Sequence, residues 1–357
     1  MMKKRYFIYV TFLLSTCFLF MSFIKGDYID SAQLEHEENG NVVASNAADE
    51  SNQKPYNVVQ VERIVPEVPP TGKKLNIILD TDVANEVDDL YAVALLLAST
   101  DRFNIKGFVA AHFNHNGPGS GPASIDTSYE LLKELLKLAK CEDKYPIYRG
   151  SHPSGYYNYP SKSEGVDFII KTARESTPED PLWVVALGPA TDLADAILIA
   201  PDIIPNVRFV FHSRSEYSWP ERSMQFNVYA NIFAARTILK KWVPLVWFDT
   251  GTNLKCDYSL TEKYVKPCGE LGNFIHHYRD RNSYFTDPNK GFFDLGDIVF
   301  LINPGLCKME IVDAPTMDNY MFFEHKQQAN GKMLRVYDID NNATWNMFFE
   351  RMKIFKK

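Results

Sequence analysis

From Lys74 onward the chain alternates between short apolar runs and longer stretches whose apolar residues recur at helical spacing. "LNIIL" (75–79), "FNIKGFVAA" (103–111), "LWVVAL" (182–187), "NVRFVFH" (206–212) and "VPLVWF" (243–248) are rich in β-branched and aromatic residues and predict strands. "DDLYAVALLLAST" (88–100) predicts a helix that is apolar nearly all round and therefore largely buried. "PASIDTSYELLKELLKLAK" (122–140) predicts an amphipathic helix, "GPATDLADAILIA" (188–200) a turn and helix, and "YANIFAARTILKK" (229–241) a further helix. Strands alternating with helices indicate βαβ units. The strands are continuous apolar runs, as expected when helices cover both faces of a parallel sheet. The expectation is one α/β domain over 73–357, an open, mostly parallel sheet flanked by helices, with its last part less regular.

Upstream the pattern stops. Residues 27–72 are polar, rich in Asn, Glu, Asp and Ser, and end in "VPEVPPTGKK". They read as a flexible linker, stiffened near Pro66, Pro69 and Pro70. Residues 1–26 place Lys3, Lys4 and Arg5 ahead of about eighteen mostly apolar residues, the n-region and h-region of an export signal. No clear A-x-A site follows. The segment therefore has a second reading, as a single membrane anchor, because its length approaches a bilayer span. "LSTC" around Cys17 is a poorer match to a lipoprotein signal. Each reading makes the rest of the chain exported: periplasmic, secreted or membrane-anchored.

Composition adds limits. The 357 residues are 45% hydrophobic and 13% aromatic, enough to fill a sizeable core. A net charge of −7 without long basic runs argues against nucleic acid as a partner. The five cysteines show neither CxxC nor zinc spacing. Cys256 and Cys268 leave one disulfide open, and nothing else points to a disulfide-built fold.

The chemistry concentrates in "IILDTDVANEVDDLYAVALLLA" (77–98). Asp80, Asp82, Glu86, Asp88 and Asp89 fall within ten residues between apolar segments. Burying like charges unpaired costs several kcal/mol, and a bound cation removes that cost. Ligands of open parallel sheets bind outside the carboxyl ends of the strands. Asp80 and Asp82 stand at such an end, and Asp88 and Asp89 open a helix whose dipole favours carboxylates. Several carboxylates with no nearby Cys describe a hard-cation site, Ca²⁺ or Mg²⁺ rather than zinc. An EF-hand fails, because Ala84, Asn85 and Tyr91 occupy its key positions. A DxDx(T/V) phosphatase matches at Asp80 and Asp82 but has Ala84 where Thr or Val is needed.

A strand, DxD, a short loop and DD opening an apolar helix resemble the signature of the inosine–uridine-preferring nucleoside hydrolases, in a longer-loop variant. The similarity runs from about Leu75 to Pro304 and implies a Rossmann-like nucleoside hydrolase fold. By that resemblance Asp82 is a calcium ligand and the base for the attacking water, Asp89 a second ligand, and Asp88 a holder of ribose hydroxyls, with Asp80 orienting the site. "GFVAAHFN" is similar to a family strand ending in a sugar-binding Asn, which points to Asn114. "VVALGPATDLADA" resembles the segment that gives a backbone carbonyl to calcium, at Leu187. "MQFN" resembles the family's "EFN", so Asn227 matches the sugar-binding Asn and Gln225 stands where Glu is usual. "GFFDLGDIVFLINP" resembles the late calcium motif, with Asp294 in the Asp place and Phe293 in place of a His. Asp297 and Asp249 read as structural.

The resemblance implies a calcium-dependent hydrolase that cleaves the N-glycosidic bond of a small ribosyl substrate, with a homo-oligomer plausible. Phe cannot donate a proton, so the leaving-group acid is open among His212, Tyr217 and Tyr229. Tyr217 and Trp219 are candidate walls of the base pocket. A non-catalytic ribosyl-binding protein on the same fold is the alternative that Phe293 and Gln225 favour. A phosphatase is weaker, because the sequence offers no evident strand-end Lys.

Overall fold

The computed structural model describes residues 63–114, 122–153, 159–327 and 329–356. The export signal or anchor and most of the linker lie outside the described residues, as does His115 beside Asn114. Among the described residues no helix is long and apolar enough to cross a membrane.

Eight strands form one sheet: β1 (Leu75–Thr81), β2 (Phe103–Ala110), β3 (Ile147–Arg149), β4 (Leu182–Ala186), β5 (Val207–His212), β6 (Leu245–Phe248), β7 (Cys307–Asp313) and, after a small hairpin of β8 (Thr316–Met317) and β9 (Phe323–Glu324), β10 (Lys332–Ile339). Their order is β3-β2-β1-β4-β5-β6-β10-β7. Every pairing is parallel except the edge pair β10–β7. The five strands predicted from the sequence are five of these, so the expected α/β class holds. The antiparallel closure by β7 was not legible, because its burial alternates as an edge strand's does rather than forming an apolar run.

Helices cover both faces. On one lie α1 (Asp88–Leu97), α2 (Pro122–Leu138), α8 (Gly269–Tyr278), α10 (Leu295–Ile302) and α11 (Asn341–Met352), joined by α7 (Tyr258–Tyr264) and α9 (Ser283–Thr286). On the other lie α3 (Glu164–Arg174), α4 (Thr191–Ile199) and α6 (Ile232–Lys240), the last preceded by the short α5 (Phe226–Ala230). All ten residues of α1 are buried, which explains its apolar circumference: it packs between the sheet and α10. The helix expected over 229–241 is broken at Asn231, whose side chain caps α6 by accepting from Ala234 N.

Two expectations change. The linker ends earlier than residue 72, because Arg63 is buried and donates to the carbonyls of Val243, Leu239, Ile238 and Asn330. Those four bonds satisfy a buried guanidinium and fasten the chain to the domain twelve residues before the first strand. Cys256 and Cys268 are both free. Burial pushes the Cys256 thiol up to about 12, so it stays protonated and behaves as a small apolar side chain.

The strand order fixes where a ligand goes. Connections from β1 run outward to β2 and β3, whereas those from β4 run the other way, so loops diverge between β1 and β4. Leu187 N donates to Asp80 O at 2.9 Å across that seam. The acidic loop after β1 and the turn after β4 are therefore neighbours at one edge of the sheet.

Candidate active site

A cleft of about 250 Å³ opens at this edge, lined by residues of the β1, β4 and β5 ends, the entry to α5 and the entry to α10. Asp82, Asp88, Asp89, Leu187, Gln225, Asn227, Phe293 and Asp294 all line it, drawn from four segments of the chain. Asn114 does not. It is exposed just beyond β2, beside residues outside the described set.

Carboxylate oxygens of Asp88, Asp89 and Asp294 lie within 4.8 Å of one another, and all three residues are buried. Asp82 lines the same cleft and its Oδ2 accepts from Asn85 Nδ2 at 3.0 Å. The electrostatics are those of an uncompensated acidic cluster. Burial, then the charges of Asp89 and Asp88, raise Asp82 well above the usual carboxylate range. Asp294 is raised likewise by burial and by Asp88, Asp89 and Asp82. Asp89 is pushed up to about 7 by burial and by Asp88, even though Thr81 Oγ1 donates to it. Buried carboxyls raised by burial and by neighbouring carboxylates are what a divalent cation would relieve, and an all-oxygen set suits Ca²⁺ or Mg²⁺. The donor set therefore fits the cation that the sequence calls for.

Asp88 is the exception. Burial, the largest influence, works to raise it, but the ammonium of Lys290 together with hydrogen bonds, one of them with Asp294, holds it below the usual range. Lys290 is buried, 3.2 Å from Asp88 Oδ1 and 2.7 Å from Glu86 Oε2, and it also donates to Gly291 O. Its partners lie about two hundred residues upstream, so nothing in "DPNKGFFDLGD" announces it. The only sequence signal was a lone Lys entering an apolar segment.

Other expected groups are already engaged. Asn227 Nδ2 donates to the Leu187 carbonyl and, at 3.3 Å, to His212 O. The carbonyl expected to ligate calcium keeps a second lone pair. Gln225 caps α5, its Oε1 accepting from Asn227 N at 2.6 Å and Val228 N at 3.3 Å. First-turn N–H groups need such an acceptor, so the substrate is left only the Gln225 amide N–H groups. His212 lines the cleft, with Nδ1 2.7 Å from Asp297 Oδ2 and 3.6 Å from Asp294 Oδ1. Burial pushes Asp297 up to about 6, against the pull of His212. Tyr217 and Tyr229 are exposed and absent from the lining. Trp219 packs on Phe323 and Arg335 rather than walling the cleft.

Behind the cleft Asp80 is wholly buried with both oxygens unpartnered among the described residues. Burial and the charges of Asp192 and Asp82 raise it well above the usual range. It stands on β1 two residues before Asp82 and does not line the cleft.

Comparison with known proteins closes the assignment. The chain is 27% identical to the pyrimidine-specific ribonucleoside hydrolase RihB of Shigella flexneri over 157 residues, 42% of this chain and 50% of that one. The match thus spans about half the length of these curated relatives. Among solved structures it resembles a plant nucleoside hydrolase, PpNRh1 (TM-score 0.64, 16% identity, 79% of this chain and 99% of that one). It also resembles the purine-preferring ribonucleoside hydrolase of Gardnerella vaginalis (TM-score 0.61, 16% identity, with the same coverage). The model of the inosine-uridine preferring nucleoside hydrolase family matches residues 77–346, and the chain belongs to that family.

Proposed function

We propose that the protein hydrolyses the N-glycosidic bond of ribonucleosides, or of a related ribosyl compound, with Ca²⁺ as cofactor. The observation that carries this is the buried cluster of Asp88, Asp89 and Asp294 with Asp82 in the same cleft. Asp82, Asp89, Asp294 and the Leu187 carbonyl would hold the cation. When bound it supplies positive charge that acidifies a water and orients ribose hydroxyls. Asp82 accepts the proton of the attacking water, a step worth about 10²–10⁴-fold in rate. Asp88, kept ionised by Lys290, accepts from a ribose hydroxyl, and Asn227 orients the sugar from the opposite wall. The carboxylate-rich lining favours the positive charge that develops on the sugar ring as the bond breaks.

The reading is tested by ribose release from inosine, uridine and p-nitrophenyl riboside, with Ca²⁺ present and then chelated. Turnover lost on chelation and restored by Ca²⁺ is expected. Absence of turnover for all three, with riboside binding intact, would instead establish the ribosyl-binding protein, the reading that Phe293 in the place of a His and Gln225 in the place of a Glu favour. The N-terminal segment supports export as part of the same proposal. Fractionation that finds the full chain in the cytosol would remove that part alone.

A further inference from the structure

Breaking a C1′–N bond leaves both bonding electrons on the departing base, and some group must take up that charge. Among the cleft-lining residues Phe293 stands where the resemblance expects a His, and it carries no proton. Its ring is pinned: a Cβ on Gly291 would lie 2.1 Å from Phe293 Cε1. Against it lies the guanidinium of Arg214, 4.0 Å from the ring centroid. Arg214 is half-buried, lines the cleft, and among the described residues has no carboxylate at ion-pair distance and no acceptor for its N–H groups. The nearby buried cation Lys290, which does not line the cleft, is taken up by Asp88, Glu86 and the Gly291 carbonyl.

The backbone at Arg214 is built to aim it. Its φ of 32° lies in the left-handed region, which a non-glycine residue adopts at a cost. The segment is fastened on both sides. Ser213 N and Arg214 N donate to Phe248 O at 2.9 and 3.3 Å. Ser215 Oγ donates to Asp249 Oδ1 at 2.7 Å, and Arg335 Nε holds the other oxygen of Asp249 at 2.6 Å. A bulky cation in a strained, doubly anchored turn at a cleft wall is a positioned group, not a solvated one.

We infer that Arg214 stabilises the leaving group: its N–H groups receive the base as it departs in its anionic form. This rests on the hydrolase reading above. It suits ribosides of oxo-substituted heterocycles, the kind named in the family's own description, whose conjugate bases spread the charge onto carbonyl oxygens that a planar guanidinium fork matches. The C1′–N electron pair goes to the base nitrogen. The water oxygen bonds to C1′, and the water proton goes to Asp82. The base anion, paired with Arg214, then takes a proton from solvent while Asp82 returns its proton to solvent, so that riboside and water give ribose and neutral base. Amino-substituted bases such as adenine, poor leaving groups until protonated, gain less from a cation that does not surrender a proton.

The test is the dependence of kcat/KM on leaving-group acidity with Ca²⁺ present. The series is uridine, the more acidic 5-fluorouridine and p-nitrophenyl riboside, with adenosine as the amino-base comparison, for wild type, Arg214→Met and Arg214→Lys. In Arg214→Met, uridine turnover falls about 10–100-fold, the range of one charged hydrogen bond. The loss shrinks through 5-fluorouridine to p-nitrophenyl riboside, Arg214→Lys recovers part of the uridine activity, and the wild type turns over uridine at least tenfold faster than adenosine. A loss that is the same for every leaving group marks a merely structural role and overturns the inference. So does adenosine turnover as fast as that of uridine. Wild type inert toward p-nitrophenyl riboside overturns the hydrolase reading and this inference with it.

Discussion

Lys290 supports the sharpest quantitative prediction. Lys290→Met keeps most of the side-chain volume and removes the only charge that offsets Asp88. At 3.2 Å, Coulomb's law with an effective dielectric of about 20 gives the Lys290–Asp88 pair about 5 kcal/mol before desolvation. The second partner adds little, because the Glu86 side chain is 35% exposed and water screens it. Burying the ammonium opposes the gain, and losing one member of a buried pair costs about 3–5 kcal/mol because the other charge is stranded. For a domain of this size that corresponds to about 6–10 °C in melting temperature. The assay is thermal or urea unfolding in chelator, so that no cation masks the effect. Asp88→Asn in the Lys290→Met background removes the stranded charge and should recover most of the loss, a coupling that a double-mutant cycle reads directly. Lys290→Met melting within about 2 °C of wild type, or the same loss in the Asp88→Asn background, would refute the pairing.

Further predictions follow from the same geometry. Asp294→Asn, removing one of three clustered carboxylates, should abolish most of the thermal stabilisation by added Ca²⁺; stabilisation equal to wild type would place the cation elsewhere. Asp89 is raised to about 7 in the folded protein. Without cation its share of stability is therefore present at low pH and is lost as pH climbs from the ordinary carboxylate range to about 7. Ca²⁺ must displace that proton, and those that the raised Asp82 and Asp294 hold, so its affinity, followed by calorimetry, should fall at least about tenfold per pH unit below 7. Gly291→Ala drives a methyl into Phe293, whose ring lies 2.1 Å from the added carbon. Overpacking of this kind costs about 1–3 kcal/mol, and it should also weaken riboside binding, since Phe293 and Arg214 share that wall; a variant with unchanged stability and KM would show the wall is soft.

The sequence alone determined the class of fold and the acidic heart of the site. Continuous apolar strands alternating with helices permit little other than a covered parallel sheet. Four Asp between a strand and a buried helix call for a compensating positive charge. Asp82, Asp88 and Asp89 were legible from their place between a strand end and a helix start, whereas Leu187, Gln225, Asn227, Phe293 and Asp294 were singled out by the family resemblance, and all of them line one cleft. What only the tertiary structure decided was how those groups are occupied. Lys290 neutralises Asp88 across 202 residues of sequence, the Gln225 oxygen is spent on a helix cap, and Arg214 rather than a tyrosine faces Phe293. Periodicity and spacing record which face of an element is buried. Charge pairing between distant segments leaves no such trace, because any Lys or Arg reads as solvated until the fold supplies its partner.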